Sequence, residues 1–192
     1  MSVTKPAVVL VNLGTPDAPT TAAVRRYLKQ FLSDPRVVEA PRLIWFWVLR
    51  LIILPLRPRR VAKLYASIWQ QDSPIRLVAQ QQAEALAGRF DCTVRYAMSY
   101  GSPGFEAVLD ELADQGHDHL LILPLYPQYS GSTNGAVADA LARWVRTRRE
   151  VPGLTLVKDY WQNPAWLDAV ADSIRRFREQ HGAAEKLLFS FH

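Results

Sequence analysis

The side chains in this sequence best suited to chemistry are its histidines, and they stand in different settings. His192 closes the run LLFSFH (187–192). An imidazole titrates near neutral pH, and one carried by an apolar strand to a ligand edge would be kept neutral by partial burial, ready to accept a proton. A satisfied histidine at a strand end is the plainer alternative. His117 and His119, in GHDHLL, are spaced so that two imidazoles could share one side of an extended segment and hold a metal. No third ligand stands near them beyond Asp118, so they read as a solvated turn. His181 precedes Gly182 where a helix should end, a place that favours a cation.

Two loops have the composition of anion sites. LYPQYSGSTNGA (125–136) leaves an apolar run and enters a helix, and free backbone amides at a helix start can hold an anion. NLGTP (12–16) also follows an apolar run. Neither contains a dinucleotide glycine fingerprint or a P-loop lysine, and ordinary turn chemistry accounts for each of them equally well.

Elements able to position these residues follow from periodicity. Strand-like runs recur at 7–13, 93–98, 119–125, 154–158 and 186–191. Helical patterns fill 20–31, 74–90, 103–115, 133–149 and 164–181, with Thr20, Ser73-Pro74 and Asn163-Pro164 as start signals. The alternation predicts an α/β fold, a Rossmann-like open parallel sheet of four or five strands flanked by helices. Roughly 80 residues separate the first two strands, more than a crossover helix needs. That connection holds a helical insertion at about 33–72. Because open α/β sheets bind ligands beyond the carboxyl ends of their strands, residues can be sorted by edge. Asn12 to Thr15, Met98, Ser99, 124–130 and His192 fall on the ligand edge. His117 and His119 fall on the other.

Composition narrows the partners. A chain of 192 residues with 49% hydrophobic and 21% charged residues suits one folded domain. The single cysteine, Cys92, forbids an internal disulfide and fits a reducing, cytoplasmic setting. The N-terminal segment reads as a strand, not a signal peptide. A net charge of +5 favours anionic partners. Nucleic acid is not among those expected, since the arginine clusters at 143–149 and 175–178 read as solvated helix faces without an aromatic platform. Residues 42–60 form an apolar stretch too short and too charged to span a membrane. Arginines at 42, 50, 57, 59 and 60 around Trp45, Phe46 and Trp47 suit peripheral contact with a lipid surface. A core helix with a basic end is the alternative.

Five strings in order, VLVNLGTP (9–16), FLSDPRVVE (31–39), LYASIWQQDSPI (64–75), LILPLYPQYSGSTNGA (121–136) and LLFSFH (187–192), resemble the ferrochelatase family, which inserts ferrous iron into a porphyrin late in haem synthesis. The resemblance implies an amino-terminal domain, 1–192, that halts at the family's catalytic histidine, with a second domain absent and the isolated piece inactive. It implies His192 as proton acceptor or metal-side ligand, and Leu13 facing the opposite side of the ring beside Asn12 and Gly14. Some members have methionine or tyrosine at that position, so Leu13 argues against axial coordination. By the same resemblance Arg95 and Tyr96 line the pocket, Tyr65, Ser73 and Tyr126 contact the porphyrin, and Arg57 and Arg60 offer cations to a propionate. Members with an iron–sulfur cluster place a cysteine where Gly131 stands here, so no cluster and no resident cofactor are expected. Ferrous iron and porphyrin are the implied substrates. The region 42–60 would form a lip over the pocket, resting on membrane lipid. A cobalt chelatase of corrin synthesis and a non-catalytic anion- or nucleotide-binding domain using 130–136 are the rival readings.

Overall fold

A computed structural model describes residues 6–189. The chain divides into two units, Met1–Asp159 and Tyr160–His192. The first unit is built on four strands, β1 (Ala7–Thr15), β2 (Thr93–Gly101), β3 (His119–Pro124) and β4 (Gly153–Leu156), all parallel, in the order β2-β1-β3-β4. In β1, Val9, Leu10 and Val11 are all fully buried, although consecutive residues point to opposite faces. A parallel sheet covered on both sides demands this, and it explains a continuous apolar run where a half-exposed strand would alternate.

On one face Ala7, Val9, Val11, Leu120 and Ile122 pack with helices α5 (Phe105–Asp114) and α6 (Ala136–Thr147) through Val108, Leu109, Leu112, Val137, Leu141 and Trp144. Polar bonds at the rim lock these two helices together. The Trp144 indole donates to Asp110 at 2.8 Å, and Arg148 donates to Asp110 at 2.6 Å and to Asp114 at 2.9 Å. The other face receives helix α4 (Pro74–Ala87), whose buried Ala79 and Ala83, four residues apart, let it approach β1 and β2 closely.

The long connection from β1 to β2 is helical. Helix α1 (Thr21–Leu32) starts at Thr20, whose hydroxyl accepts from the Ala23 amide at 3.3 Å. Helix α2 (Arg42–Val48) runs through a π-helical turn (Leu49–Ile53) into helix α3 (Leu54–Ile68). The widened turn sits just ahead of Pro55 and Pro58, which have no amide hydrogen to give the ladder. Along this rod only Leu49, Leu54, Pro58 and Ala62 are buried. Leu43, Ile44, Trp47, Leu51, Leu56 and Leu64 remain exposed.

The second unit contains helix α7 (Pro164–His181), capped by Asn163, whose side chain accepts from the Ala165 amide at 3.0 Å, and ended by Gly182 at φ +84°. The expected strand at 186–191 is not found over its described part. Residues 186–189 carry no regular structure, and 190–191 lie outside the described residues. Apolar alternation supplies strand propensity, but a strand exists only through pairing, and among the described residues the ladders of this sheet join β2 to β1, β1 to β3 and β3 to β4. Among the described residues the sheet therefore has four strands, the lower of the two numbers expected.

Candidate functional site

Strand order determines where this sheet can bind. From β1 the chain passes to β2 on one side, and β3 then takes the other side of β1. The connections thus diverge between β1 and β3, and at their carboxyl ends the divergence leaves a crevice, the usual ligand position of open α/β sheets. Asn12, Leu13, Gly14 and Thr15 end β1 at this edge. The Leu125 amide donates to the Val11 carbonyl at 2.8 Å, so the chain leaving β3 stays attached to β1 as it delivers Tyr126.

The β1 and β2 ends are drawn unusually close. Gly14 has φ +111°, and a Cβ there would lie 1.7 Å from the Tyr100 carbonyl oxygen. Gly101 has φ +90°, and a Cβ there would lie 2.3 Å from the Thr15 carbonyl oxygen. Both positions require glycine on two independent counts, backbone conformation and space.

Tyrosines from three elements and from the loop after β3 come close together beside this edge. Tyr27 on α1 donates to the Gly14 carbonyl at 3.4 Å, stacks on Phe31 at 5.8 Å and meets Tyr65 of α3 edge-on at 6.4 Å. Phe31 in turn meets Tyr100 edge-on at 5.2 Å, and the Tyr100 hydroxyl donates to Asp34 Oδ2 at 2.8 Å. Burial pushes the Tyr27 phenol well above its ordinary range, with Tyr65 and Tyr126 adding to the effect. It does the same at Tyr100, helped by the hydrogen bond to the Asp34 carboxylate. Burial alone raises Tyr126, and burial outweighs the Tyr27 contact in raising Tyr65. These phenols therefore stay neutral in any physiological medium, able to donate hydrogen bonds but not to serve as bases. The Tyr126 hydroxyl is buried without a hydrogen-bond partner among the described residues. A buried donor left unpaired is costly, and a ligand atom in the crevice would relieve it.

Polar bonds attach both feet of the α2–α3 insertion to the sheet and to the helices that cover it. At the leaving foot, Asp34 accepts from Tyr100, and Arg36 makes a two-point pair with Asp139 of α6, 2.7 and 2.9 Å. At the returning foot, Thr15 Oγ1 donates to Ser73 Oγ at 2.8 Å, and Asp72 accepts from Arg76 at 2.5 Å.

Of the expected site residues, Asn12, Leu13 and Gly14 end β1 at the carboxyl edge, Tyr126 follows β3 at the same edge, and Tyr65 stands against Tyr27, which is bonded to Gly14. Ser73 is nearly sealed from solvent and engaged by Thr15. Arg95 and Tyr96 are not brought to the carboxyl edge. They pair with Val9 and Leu10 in the middle of β2, and as consecutive strand residues their side chains leave by opposite faces. Arg95 instead forms a 2.7 Å ion pair with Glu111 of α5. Arg57 and Arg60 are exposed on α3 with no ion pair among the described residues. His192 lies outside the described residues. His119 sits on the amino edge, its Nε2 3.0 Å from Thr155 Oγ1, and no group of three metal-binding side chains occurs among the described residues.

The 130–136 loop spends its polar groups internally. The Thr133 and Gly135 amides donate to the Ser130 carbonyl, and the Ser130 amide to Asn134 Oδ1 at 3.4 Å. Buried Asn134 donates to the Lys158 carbonyl at 2.8 Å. Sequence reasoning missed Tyr27, Tyr100 and Arg76. The FLSDP string held the signal for Asp34, whose role depends on Tyr100, 66 residues away.

The ferrochelatase family model matches residues 5–192. A ferrochelatase from Psychrobacter sp. (strain PRwf-1) is 54% identical over 193 residues, covering 97% of this chain and 57% of that protein. One from Acinetobacter baumannii (strain ACICU) is 50% identical over 195 residues, covering 98% of this chain and 58% of its own length. One from Acinetobacter baylyi is 47% identical, with 98% and 57% covered. The chain thus spans less than three-fifths of the length of these curated relatives.

Proposed function

The chain belongs to the ferrochelatase family, and from that membership we propose that the whole protein inserts ferrous iron into a porphyrin, with this chain forming the floor and one wall of the cleft. The observation that carries the reading is that Leu13 and Gly14 end β1, and Tyr126 follows β3, at one carboxyl edge where the connections diverge, with the buried Tyr126 hydroxyl lacking a hydrogen-bond partner among the described residues. A flat apolar macrocycle needs such a surface, neutral and mostly greasy, with few polar groups to set its orientation.

Insertion releases two pyrrole protons as the metal enters, so a base must face the ring. The neutral phenols cannot take that part. His192 would accept the protons from its side of the macrocycle, and Leu13, which has no donor atom for iron, would pack on the opposite side. Arg57 and Arg60, exposed and without ion pairs among the described residues, are the cations available to the propionates. Gly131 offers no cluster ligand, and the reaction as proposed needs no resident cofactor. The exposed apolar residues of α2 and α3, Leu43 at 76% and Leu56 at 70% exposure among them, would rest on the membrane surface. Arg50, stacked on Phe46 at 3.7 Å, and its neighbouring arginines would face lipid headgroups. No described helix is long and apolar enough to cross a membrane.

The test uses the whole protein with protoporphyrin, following the Soret band for binding and loss of porphyrin fluorescence for anaerobic insertion of ferrous iron or cobalt. Iron insertion that disappears in His192→Ala while porphyrin still binds is the expected result. Tyr126→Phe should weaken porphyrin binding. Preference for cobalt, or binding without any insertion, would overturn the reading.

A further inference from the structure

We infer that Arg76 is a positioning residue that pins the returning foot of the lip to the floor of the cleft. The inference rests on the crevice being the porphyrin site. The Arg76 side chain is only 12% exposed, and its guanidinium joins three segments distant in sequence. One terminal nitrogen donates to Asp72 Oδ1 at 2.5 Å, at the point where the insertion rejoins the body. The other donates to the Pro16 carbonyl at 3.1 Å and lies 3.9 Å from Asp17, just past the end of β1. The Nε donates to the Ser102 carbonyl at 3.1 Å, just past the end of β2.

These partners occupy critical places. Pro16 follows Leu13, Gly14 and Thr15, and Ser102 follows Gly101, so the two loops that Arg76 holds continue the strand ends that pinch together. Asp72 is also bonded to the Ser73 amide at 2.6 Å, and Ser73 is held by Thr15. Eight residues upstream of Ser73, Tyr65 stands on α3 against Tyr27. A single planar fork thereby sets the spacing between the lip helix and the crevice floor. Lysine, whose one ammonium lacks a fixed fork, cannot span all three segments at once.

The experiment compares whole-protein Arg76→Met and Arg76→Lys by steady-state kinetics with varied porphyrin and by hydrogen–deuterium exchange over residues 54–68. Arg76→Met should raise the porphyrin KM about tenfold with kcat changed far less, and should speed exchange in 54–68. Arg76→Lys should fall between it and the native protein in both readouts. A lowered melting temperature with native KM and native exchange would overturn the inference, because it marks a residue that only stabilises. A fall in kcat at constant KM would also overturn it. Should Arg76→Met fail to fold, Arg76→Lys and Asp72→Asn carry the same expectation, each removing part of the clamp. Exchange needs no porphyrin: faster exchange in a protein that binds none upholds the clamp and removes the porphyrin reading instead.

Discussion

Thr15 Oγ1 donates a 2.8 Å hydrogen bond to Ser73 Oγ, and both residues are almost wholly sealed from solvent. Ser73 occupies the N-cap of α4 but does not cap it through its side chain. Its hydroxyl instead ties the helix start to the end of β1, 58 residues away. The residue expected to contact substrate is therefore engaged in holding the site together.

Replacing Thr15 by Val keeps the volume and removes the donor. The buried Ser73 oxygen then loses its partner, at a cost of about 1–2 kcal/mol. Thr15→Val combined with Ser73→Ala should cost less than the sum of the two single changes, because the double variant leaves no orphaned hydroxyl. Urea unfolding of the four proteins measures this. Strict additivity would mean that the pair is not coupled.

Gly14→Ala should be among the most damaging single changes in the chain. A methyl 1.7 Å from the Tyr100 carbonyl oxygen cannot be relieved by swinging a side chain, since the obstacle is backbone, and φ +111° is itself strained for alanine. Combined, these effects should cost about 4 kcal/mol or more. Soluble yield and thermal melting report it, and a native-like midpoint would contradict the geometry.

Asp72 links the lip clamp to pH. Burial works to raise its pKa, but the hydrogen bonds from Arg76 and the Ser73 amide, with the Arg76 charge, outweigh burial and hold the carboxyl below its usual value. A carboxyl with a lowered folded pKa binds fewer protons in the native state than in the unfolded one. Its stabilisation is complete above the unfolded value of about 4 and is lost as pH falls through the folded value. Melting temperatures of the native protein and Asp72→Asn should therefore differ near neutrality and converge in acid below about pH 4. A gap that stays constant through this range would remove Asp72 from the clamp.

Local pattern made much of this protein legible before any coordinates. The apolar run in β1, the Thr20 and Asn163 caps and the Pro at the start of α4 follow from periodicity and turn chemistry, which act between near neighbours. Placing Asn12 to Thr15 and Tyr126 on the ligand edge needed only the direction of a parallel strand. Propensity without pairing misled at 186–189, and Arg95, expected at the pocket by resemblance, stands in the middle of β2 and pairs with Glu111.

The sequence alone thus determined the kind of sheet, the edge on which Asn12 to Thr15 and Tyr126 fall, and the family. Only the tertiary structure decided that β3 lies beside β1, that tyrosines 27, 65, 100 and 126 come close together, and that Arg76 reaches Pro16, Asp72 and Ser102 together. The reason is range: a helix or strand is specified within a few residues, whereas a hydrogen bond between segments 58 or 66 residues apart exists only once packing has set the distance between the elements that carry its two ends.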